Sequence, residues 1–425
     1  MRFRSTAFTA ALAVAVFIVT ARAAVHAAAA ATPPVEAFFD DSHVHSIYLS
    51  INSRDWQSLR EHYLDNTYYP GDLRWEDQVV RNIGVRSRGT GSRSGVKPGL
   101  RVDMDHYTSG QRLLGTLKSF ILRNQTQDAS GMHERLSMLM FRRAGVPAVR
   151  EAHTRLYINN AFAGLYTIVE SVDKAYLKRT FAEDEGYLYK YDYNADDAPY
   201  YMEYRGSDPD LYVPHPFKPE THESDPHPNW IAELIRVVSQ DSDTIFRTTI
   251  APLLDIERFV RHIAIENFLA DQDGTNGNYG TNNFYLYRFA ESHIFNFIPW
   301  DKSEAFKDGP TLSIWHNIQD GAPADKRNRL TLRALRFPDL RNLYLDTLAA
   351  CARSASELDE ANPDDTRGWL EREIQREYEQ IREATYADPQ KAFSNEQFEE
   401  EVENLETFAR QRPVVVKAAV DRERR

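Results

Sequence analysis

Carboxylate and amide side chains are concentrated in one polar stretch that contains Asp271, Asp273 and Asn283, and Asp301 follows beyond a predicted hairpin. Hard oxygens of this kind hold Mg²⁺, which neutralises phosphate charge, while a further carboxylate can orient an attacking hydroxyl and accept its proton. Sulfur is not needed for this chemistry, and the single Cys351 offers no thiolate pair for zinc. The residue types therefore favour phosphoryl transfer.

The elements around these residues are a helix, a loop and a hairpin. Asp255 can cap an amphipathic helix that runs to Phe268, and strands are predicted at 284–288 and 293–299. Helix, polar loop, hairpin and aspartate follow one another as in the layout with which protein kinases arrange a catalytic Asp, a metal-binding Asn and a second metal-binding Asp. Taken singly, aspartates beside Gly and Asn are usually turn residues, so the interpretation depends on the combination.

Upstream of this region the pattern is mostly strand-like, with one clear helix. The predicted strands are 79–85, 100–104, 118–123, 154–158 and 164–169. A Gly-rich segment separates the first two strands, and Asp128 or Ser130 can cap a helix after the third. Because the remainder of the chain contains mainly helical patterns, the sequence predicts an α+β fold.

Six short runs, taken in order, resemble the spore coat protein H (CotH) kinase family. They are Arg88-Gly-Thr-Gly-Ser, Lys97-Pro-Gly-Leu-Arg-Val-Asp, Leu117-Lys118-Ser-Phe, Gly164-Leu-Tyr-Thr-Ile-Val-Glu170-Ser-Val-Asp173, Asn283-Phe-Tyr-Leu-Tyr and Ile298-Pro-Trp-Asp301. The resemblance implies a divergent, two-lobed protein-kinase-like fold, with a β-rich N-lobe at 31–170 and a largely helical C-lobe at 171–425. It also implies the use of ATP with Mg²⁺ or Mn²⁺, and phosphorylation of secreted or surface proteins on Ser or Thr.

The resemblance assigns roles to the polar residues. Asp273 resembles the catalytic-loop Asp, with Asp271 as the close alternative, and Asp301 resembles the metal-binding Asp. Asn283 resembles the amide that helps to hold the metal. The common kinase loop places this amide five residues after the Asp, where the chain has Asn278, so both remain candidates.

The resemblance also implies nucleotide contacts from the first half of the chain. The candidates are Lys97, Lys118, Glu134, Gly89, Gly91, Ser92 and Glu170. Lys97 and Lys118 compete for the phosphates, with a slight preference for Lys97, and Glu134 lies on the helix where it could pair with Lys118. Backbone N–H groups at Gly89, Gly91 and Ser92 can approach phosphates closely. Glu170 is expected at the hinge near the adenine.

The N-terminus carries the pattern of a secretory signal peptide. Arg2 and Arg4 precede an apolar run at 10–19, and small residues suitable for cleavage follow before residue 30. We therefore predict a signal peptide at 1–30 and a secreted or periplasmic protein without a stable membrane span, an uncleaved anchor being the alternative. The 63 acidic residues against 51 basic ones, a net charge of -12, argue against nucleic acid as the main partner.

Two further segments stand out by composition. Residues 192–229 are rich in Asp, Pro, Tyr and His and predict a long surface insertion, while 330–425 predicts a charged outer helical layer with a solvated tail. After Asp301 the chain has Ser303 where the family often has a second Asp. An inactive kinase-like binding module, with the insertion recruiting a partner, is therefore an alternative function. A metal-dependent hydrolase that uses the same carboxylates is another.

Overall fold

The computed structural model describes residues 34–192 and 198–425, in which eleven α-helices and eleven strands form a mixed α+β architecture. The predicted signal peptide at 1–30 lies outside the described residues. Within the described part of the chain, no helix combines the length and the apolar character that crossing a membrane requires.

Seven strands form a closed barrel. They are β1 (His45–Ile51), β2 (Tyr69–Trp75), β3 (Gln78–Ser87), β4 (Leu100–Asp103), β5 (Ser119–Arg123), β6 (Glu151–Ile158) and β7 (Ala161–Glu170). The order around the barrel is β1-β2-β3-β4-β5-β7-β6, and it closes through a parallel pairing of β1 with β6. Alternating apolar residues fill its interior, as the period-2 patterns of these segments predict. The strands predicted in this region are confirmed within a few residues at each end.

A second, antiparallel sheet has the order β11-β10-β8-β9. Its strands are β8 (Tyr187–Tyr191), β9 (Phe217–Pro219), β10 (Phe284–Arg288) and β11 (Phe295–Pro299). The predicted hairpin is β10 and β11, with Phe284 opposite Pro299. This register brings the residues before β10 next to those after β11, and the Trp300 amide donates to the Asn283 carbonyl at 3.2 Å.

The helices surround the barrel and the second sheet. They are α1 (Pro34–Phe38), α2 (Ser53–Glu61), α3 (His133–Arg143), α4 (Lys174–Phe181), α5 (Pro228–Gln240), α6 (Asp243–Ile250), α7 (Ile256–Phe268), α8 (Arg329–Ala334), α9 (Pro338–Ala355), α10 (Trp369–Ala387) and α11 (Asn395–Glu423). Asp255 caps α7 by accepting from the Arg258 amide, as the sequence predicts. At α3 the cap is different, because Met132 occupies the N-cap position while the Asp128 carboxylate accepts from the His133 amide at 2.8 Å.

The expectation that 192–229 is a surface insertion is wrong at its large apolar residues, while many of its polar residues are exposed. Tyr200, Met202 and Phe217 are at most 2% exposed and join the larger hydrophobic core. Phe217 packs against Phe284 of β10, and Tyr200 packs against Phe217 and against Tyr191 of β8. Burial of aromatic surface therefore outweighs the polar composition at these positions.

The expected solvated tail is also absent from the described chain. The last helix, α11, runs to Glu423 and buries one apolar side throughout its length, against α9 and α10. Periodic apolar residues between the charges provide this buried side. The predicted division into lobes at 170/171 stays a prediction: the boundary lies at the end of β7, but the described residues from Pro34 onward form one compact unit by their contacts.

Candidate active site

Asp273 lies in the loop between α7 and β10 and is held by two amides. The Asn282 Nδ2 donates to one carboxylate oxygen at 3.0 Å and the Asn283 Nδ2 donates to the other at 2.9 Å. Asn283 also donates to the Asp273 carbonyl at 2.8 Å, and its φ of 58° lies in the left-handed region that asparagine tolerates. Asn283 therefore contacts Asp273 directly and fixes the orientation of its carboxylate.

Asp271 lies behind Asp273 in a buried ion cluster. Its carboxylate is fully buried and 3.0 Å from the Lys302 Nζ, which also donates to Glu266 at 2.6 Å. His262 contacts the same Glu266 at 2.9 Å. A Cβ on Gly274 would lie 2.5 Å from Asp271, so this glycine allows the loop to close over the cluster. The structure gives Asp271 a supporting position outside the cleft lining, whereas Asp273 lines the cleft.

Asp301 follows β11 and has a cationic partner. The Arg123 Nη1 is 2.7 Å from Asp301, and the Arg123 Nη2 donates to Glu134 of α3 at 2.8 Å. Ser303, which stands where a second Asp was expected, donates its hydroxyl to Asp301 at 3.1 Å. One arginine thus joins the end of β5, helix α3 and the loop after β11.

The two cleft aspartates have opposite pKa shifts. Burial raises the pKa of Asp273 to about 7; the Asn282 hydrogen bond opposes this rise, and the negative charges of Asp271 and Asp301 add to it. Burial would also raise the pKa of Asp301, but the Arg123 and Arg88 guanidinium groups outweigh it and lower that pKa. Asp301 is therefore ionised throughout the neutral range, while Asp273 can take up or release a proton near pH 7.

The Gly-rich segment after β3 forms one wall of the same cleft. Gly89, Gly91 and Ser92 line it together with Asp273, Asn283 and Asp301. Gly89 has a φ of 117°, and a Cβ there would lie 2.5 Å from the Ser92 hydroxyl, so the tight turn requires glycine. The structure therefore brings these three predicted residues to the carboxylates.

The cleft has a volume of about 650 Å³ and carries cations around the two aspartates. The basic residues that line it are Arg86, Arg88, Arg93, Arg101, Lys190 and Lys218. Lys190 and Lys218 pair with two further carboxylates of the lining, Asp192 and Glu220, and within the described chain the four arginines make no ion pair with these two. Arg88 is notable because it forms no ion pair within 4 Å among the described residues and faces the Trp300 ring at 5.8 Å. Burial and the nearby Arg123 lower the pKa of Arg88 to about 10, which leaves it charged at neutral pH. A polyanion such as a triphosphate is the complement of this lining.

Neither predicted lysine lies in the cleft. Lys97 is 3% exposed, and its Nζ donates to Asp388 at 2.6 Å and to the Leu165 carbonyl at 2.8 Å. Asp388 can approach β7 there because Gly164 lacks a Cβ, which would otherwise lie 2.6 Å from its oxygens. Lys118 is 46% exposed and pairs with Asp105 at 3.2 Å. The expected Lys118–Glu134 pair is therefore wrong, and Arg123 makes that contact.

Two other predicted residues also lie outside the cleft lining. Glu170 is buried at the end of β7, where it accepts from Arg150 and Arg179, each at 2.7 Å. Asn278 is exposed, and its Oδ1 accepts from the Asn317 side chain at 2.9 Å. Of the two amide candidates, Asn283 is the one that the fold places beside Asp273 and Asp301.

The donor set suits a hard cation that is shared with a substrate. Among the described residues no group of three or more His, Cys, Asp or Glu is arranged around a common point for a metal ion. The cleft instead offers Asp301, whose side chain is 25% exposed and whose Oδ2 accepts no hydrogen bond from described residues, and the Oδ1 atoms of Asn282 and Asn283. Carboxylate and amide oxygens suit Mg²⁺ or Mn²⁺ when phosphate oxygens and water complete the coordination.

Arg123, Arg88 and Asn282 were missed by the sequence reasoning. A signal for Arg123 was present, because it lies on the same predicted strand as Lys118 and closer to the helix that carries Glu134. Lys118 and Arg123 are an odd number of positions apart, and side chains alternate between the two faces of a strand. Only one of the two residues could therefore face α3. Choosing between them required the barrel register, with Arg123 opposite Thr167 of β7.

Comparison with known proteins adds independent information. The family model described as CotH kinase protein matches residues 85–416. The inner spore coat protein H of Bacillus subtilis (strain 168) is 22% identical over 369 residues, which cover 87% of this chain and 95% of that protein. The crystal structure of the proinflammatory kinase CtkA of Helicobacter pylori covers 74% of this chain and 94% of its own at 11% identity, with a TM-score of 0.28 that is too low to establish a shared fold.

Proposed function

Because the chain belongs to the CotH kinase protein family, we propose that it transfers the γ-phosphoryl group of ATP to Ser or Thr hydroxyls of secreted or surface proteins. The observation that supports this most is the meeting of Asp273, Asp301 and the Gly-rich segment in one cation-lined cleft. Their order along the chain is that of kinase catalytic and metal-binding groups. In this proposal the Arg123–Glu134 pair, which joins β5 to α3, serves in place of the kinase Lys–Glu pair.

In this proposal Asp273 orients the acceptor hydroxyl and accepts its proton. The acceptor oxygen bonds to the γ-phosphorus as the bond from that phosphorus to the β,γ-bridging oxygen breaks, and ADP leaves with the electron pair. A carboxylate with a pKa near 7 is matched to proton transfer at neutral pH. The Asn282 and Asn283 amides keep both carboxylate oxygens in a fixed direction, which reduces the reorganisation that the reaction requires.

The positive charges in the proposal have two roles. A divalent cation, when bound, would neutralise the phosphates, with Asp301 and the amide oxygens of Asn282 and Asn283 as its protein ligands. Arg88 is available for a phosphate oxygen, since it has no carboxylate partner in the described chain. Arg123 keeps Asp301 ionised and in place.

The location of the acceptors is part of the proposal. The predicted signal peptide at 1–30 favours export, and a relative named as a spore coat protein is consistent with work outside the cytoplasm. We therefore propose acceptors that are themselves exported.

The test is transfer of radiolabelled phosphate from [γ-³²P]ATP, with Mg²⁺ or Mn²⁺, to the protein itself and to generic Ser/Thr-containing acceptors. Wild type is compared with Asp273→Ala, Asp301→Ala and, as a matched control, Asp77→Ala, an exposed aspartate in the turn after β2. We expect label in the wild type and in Asp77→Ala and its loss in the two cleft variants.

Other outcomes distinguish the alternatives. Tight ATP binding without label in any acceptor would indicate an inactive binding module. Release of inorganic phosphate without labelled protein, lost in the same two variants, would indicate a metal-dependent hydrolase. A folded wild type that neither binds ATP nor transfers label with either metal would overturn the proposal.

A further inference from the structure

Three consecutive residues of α3 carry buried charges that point in different directions. His133, Glu134 and Arg135 are all at most 5% exposed, and successive residues of a helix are rotated by about 100°. Glu134 faces Arg123, which in turn contacts Asp301 of the cleft. His133 and Arg135 instead reach the C-terminal helices α10 and α11, far along the chain.

Arg135 joins α3 to α10. Its Nη1 donates to Glu377 at 2.8 Å and its Nη2 donates to Glu373 at 2.8 Å, both on α10. Glu377 is fully buried and also contacts the His153 Nε2 of β6 at 2.5 Å. The Glu377 carboxylate of α10 therefore contacts both α3, through Arg135, and the barrel, through His153.

His133 joins α3 to α11 and to the loop that carries Asp301. Its Nε2 is 3.0 Å from Glu401 of α11, and its Nδ1 is 3.1 Å from the Ser303 carbonyl. Both ring nitrogens face acceptors, so both contacts are satisfied by the imidazolium form, which the Asp128 carboxylate also favours at 3.5 Å. Ser303 in turn donates to Asp301.

We propose that α10 and α11 position α3 for phosphoryl transfer, with Glu401 and Glu377 as the positioning residues that act through His133 and Arg135. This inference rests on the proposed kinase function. Charges that are buried and paired in this way permit few alternative arrangements, because each displaced partner leaves an unpaired charge away from water. Contacts from the C-terminal helices thereby keep Glu134 against Arg123, and Arg123 against Asp301.

The central experiment compares Glu401→Gln with Glu403→Gln. Both residues lie on α11, but Glu403 is exposed and forms no hydrogen bond or ion pair with described residues. We expect Glu401→Gln to lower the kcat for transfer by about tenfold or more, because small misplacements of catalytic groups are costly. Its thermal unfolding midpoint should fall while the protein stays folded at the assay temperature, because the buried His133 loses a charged partner. Glu403→Gln is expected to match wild type in both.

A double-mutant cycle tests whether the effect passes through α3. If Glu401 acts by positioning Glu134, Glu401→Gln should have little further effect on kcat in a Glu134→Gln background, whereas independent effects would multiply. Glu377→Gln should show the same kinetic loss and the same non-additivity. If that variant is too unstable to fold, Glu401→Gln alone decides.

Hydrogen exchange separates failure of this inference from failure of the proposed function. Amides of α3, residues His133–Arg143, should exchange faster in Glu401→Gln than in Glu403→Gln, whether or not any transfer is detected. Wild type without transfer, but with faster exchange in Glu401→Gln, would overturn the kinase and retain the positioning contact. Equal exchange and equal kcat in Glu401→Gln and Glu403→Gln would overturn the inference.

Discussion

The loop after α7 and the loop after β11 each place one aspartate in the cleft, but they surround it differently. Asp273 receives hydrogen bonds from two neutral amides and has no cation within ion-pair distance among the described residues. Asp301 contacts the Arg123 guanidinium at 2.7 Å. Burial acts on both carboxylates, so the cation decides which of them stays ionised.

The difference shows how the surroundings of two aspartates can fit them for different chemical roles. A carboxylate that is ionised at every relevant pH suits a cation ligand, and a carboxylate that titrates near neutrality suits proton transfer. Lys302 lies close to the loop after α7, and an ion pair between it and Asp273 would remove this difference. Its Nζ contacts Glu266 and Asp271 instead, at 2.6 and 3.0 Å, and its lowering of the pKa of Asp273 does not overcome the effect of burial.

The largest expected effect comes from removing each charge separately. Asp273→Asn should lower kcat by about 10²–10⁴-fold and leave ATP affinity in Mg²⁺ unchanged, because the proton acceptor is lost while the phosphate contacts remain. Asp301→Asn should also weaken ATP binding in Mg²⁺, because a cation ligand is lost. Isothermal titration calorimetry and kcat measurements on both variants check this. Equal weakening of ATP binding in the two variants would contradict the division of roles.

A smaller loss is expected from removing the cation that distinguishes the two loops. Arg123→Met should lower transfer by about 10²-fold, because Asp301 loses the charge that keeps it ionised and in position. Lys118→Met, on the same strand segment, should stay within about twofold of wild type, since Lys118 pairs with Asp105 away from the cleft.

Arg123→Met leaves Glu134 without a buried partner, which destabilises the fold. Circular dichroism should therefore be used to check that this variant is folded before its transfer rate is compared. If Lys118→Met lost as much transfer as a folded Arg123→Met, the loss would not be specific to the arginine, and the role given to Arg123 would be contradicted.

The local elements around the site were predictable, because each depends on short-range signals. Asp255 capping α7, the period-2 pattern of β10 and β11, and the glycines of the segment after β3 all act within a few residues. The antiparallel pairing of β10 and β11 brings the polar residues before β10 next to those after β11. The kinase-like layout and the family resemblance pointed to Asp273, Asn283 and Asp301, which line one cleft in the structure, while their roles stay predictions.

The cationic half of the site was not predictable in the same way. Whether a lysine or an arginine reaches Glu134 depends on the barrel register, and the burial of Lys97 depends on Asp388, 291 residues further along the chain. The burial of Phe217 in an otherwise polar segment likewise requires β9 to pair with β8. The local sequence of neither segment indicates that two distant segments will be in contact.

The smallest expected effect is a shift in pH dependence, and it tests the amide environment of Asp273 directly. A base must be deprotonated, so kcat should fall about tenfold per unit as pH drops below the pKa of Asp273, near 7. The Asn282 hydrogen bond stabilises the ionised form, and Asn282→Ala should therefore raise that apparent pKa by roughly one unit. The acidic limb of the kcat profile would then move to higher pH.

Asn278→Ala is the matched control for this shift, because Asn278 lies in the same loop but contacts Asn317 instead of Asp273. Its kcat profile should superimpose on that of wild type after scaling. The Arg123→Met variant offers a second check. Arg123 contacts Asp301 and not Asp273, so the acidic limb of its kcat profile should stay at the wild-type pH. If the acidic limb lies below pH 5 in wild type, or does not move in Asn282→Ala, Asp273 is not the group that titrates, and the contrast between the two loops loses its catalytic meaning.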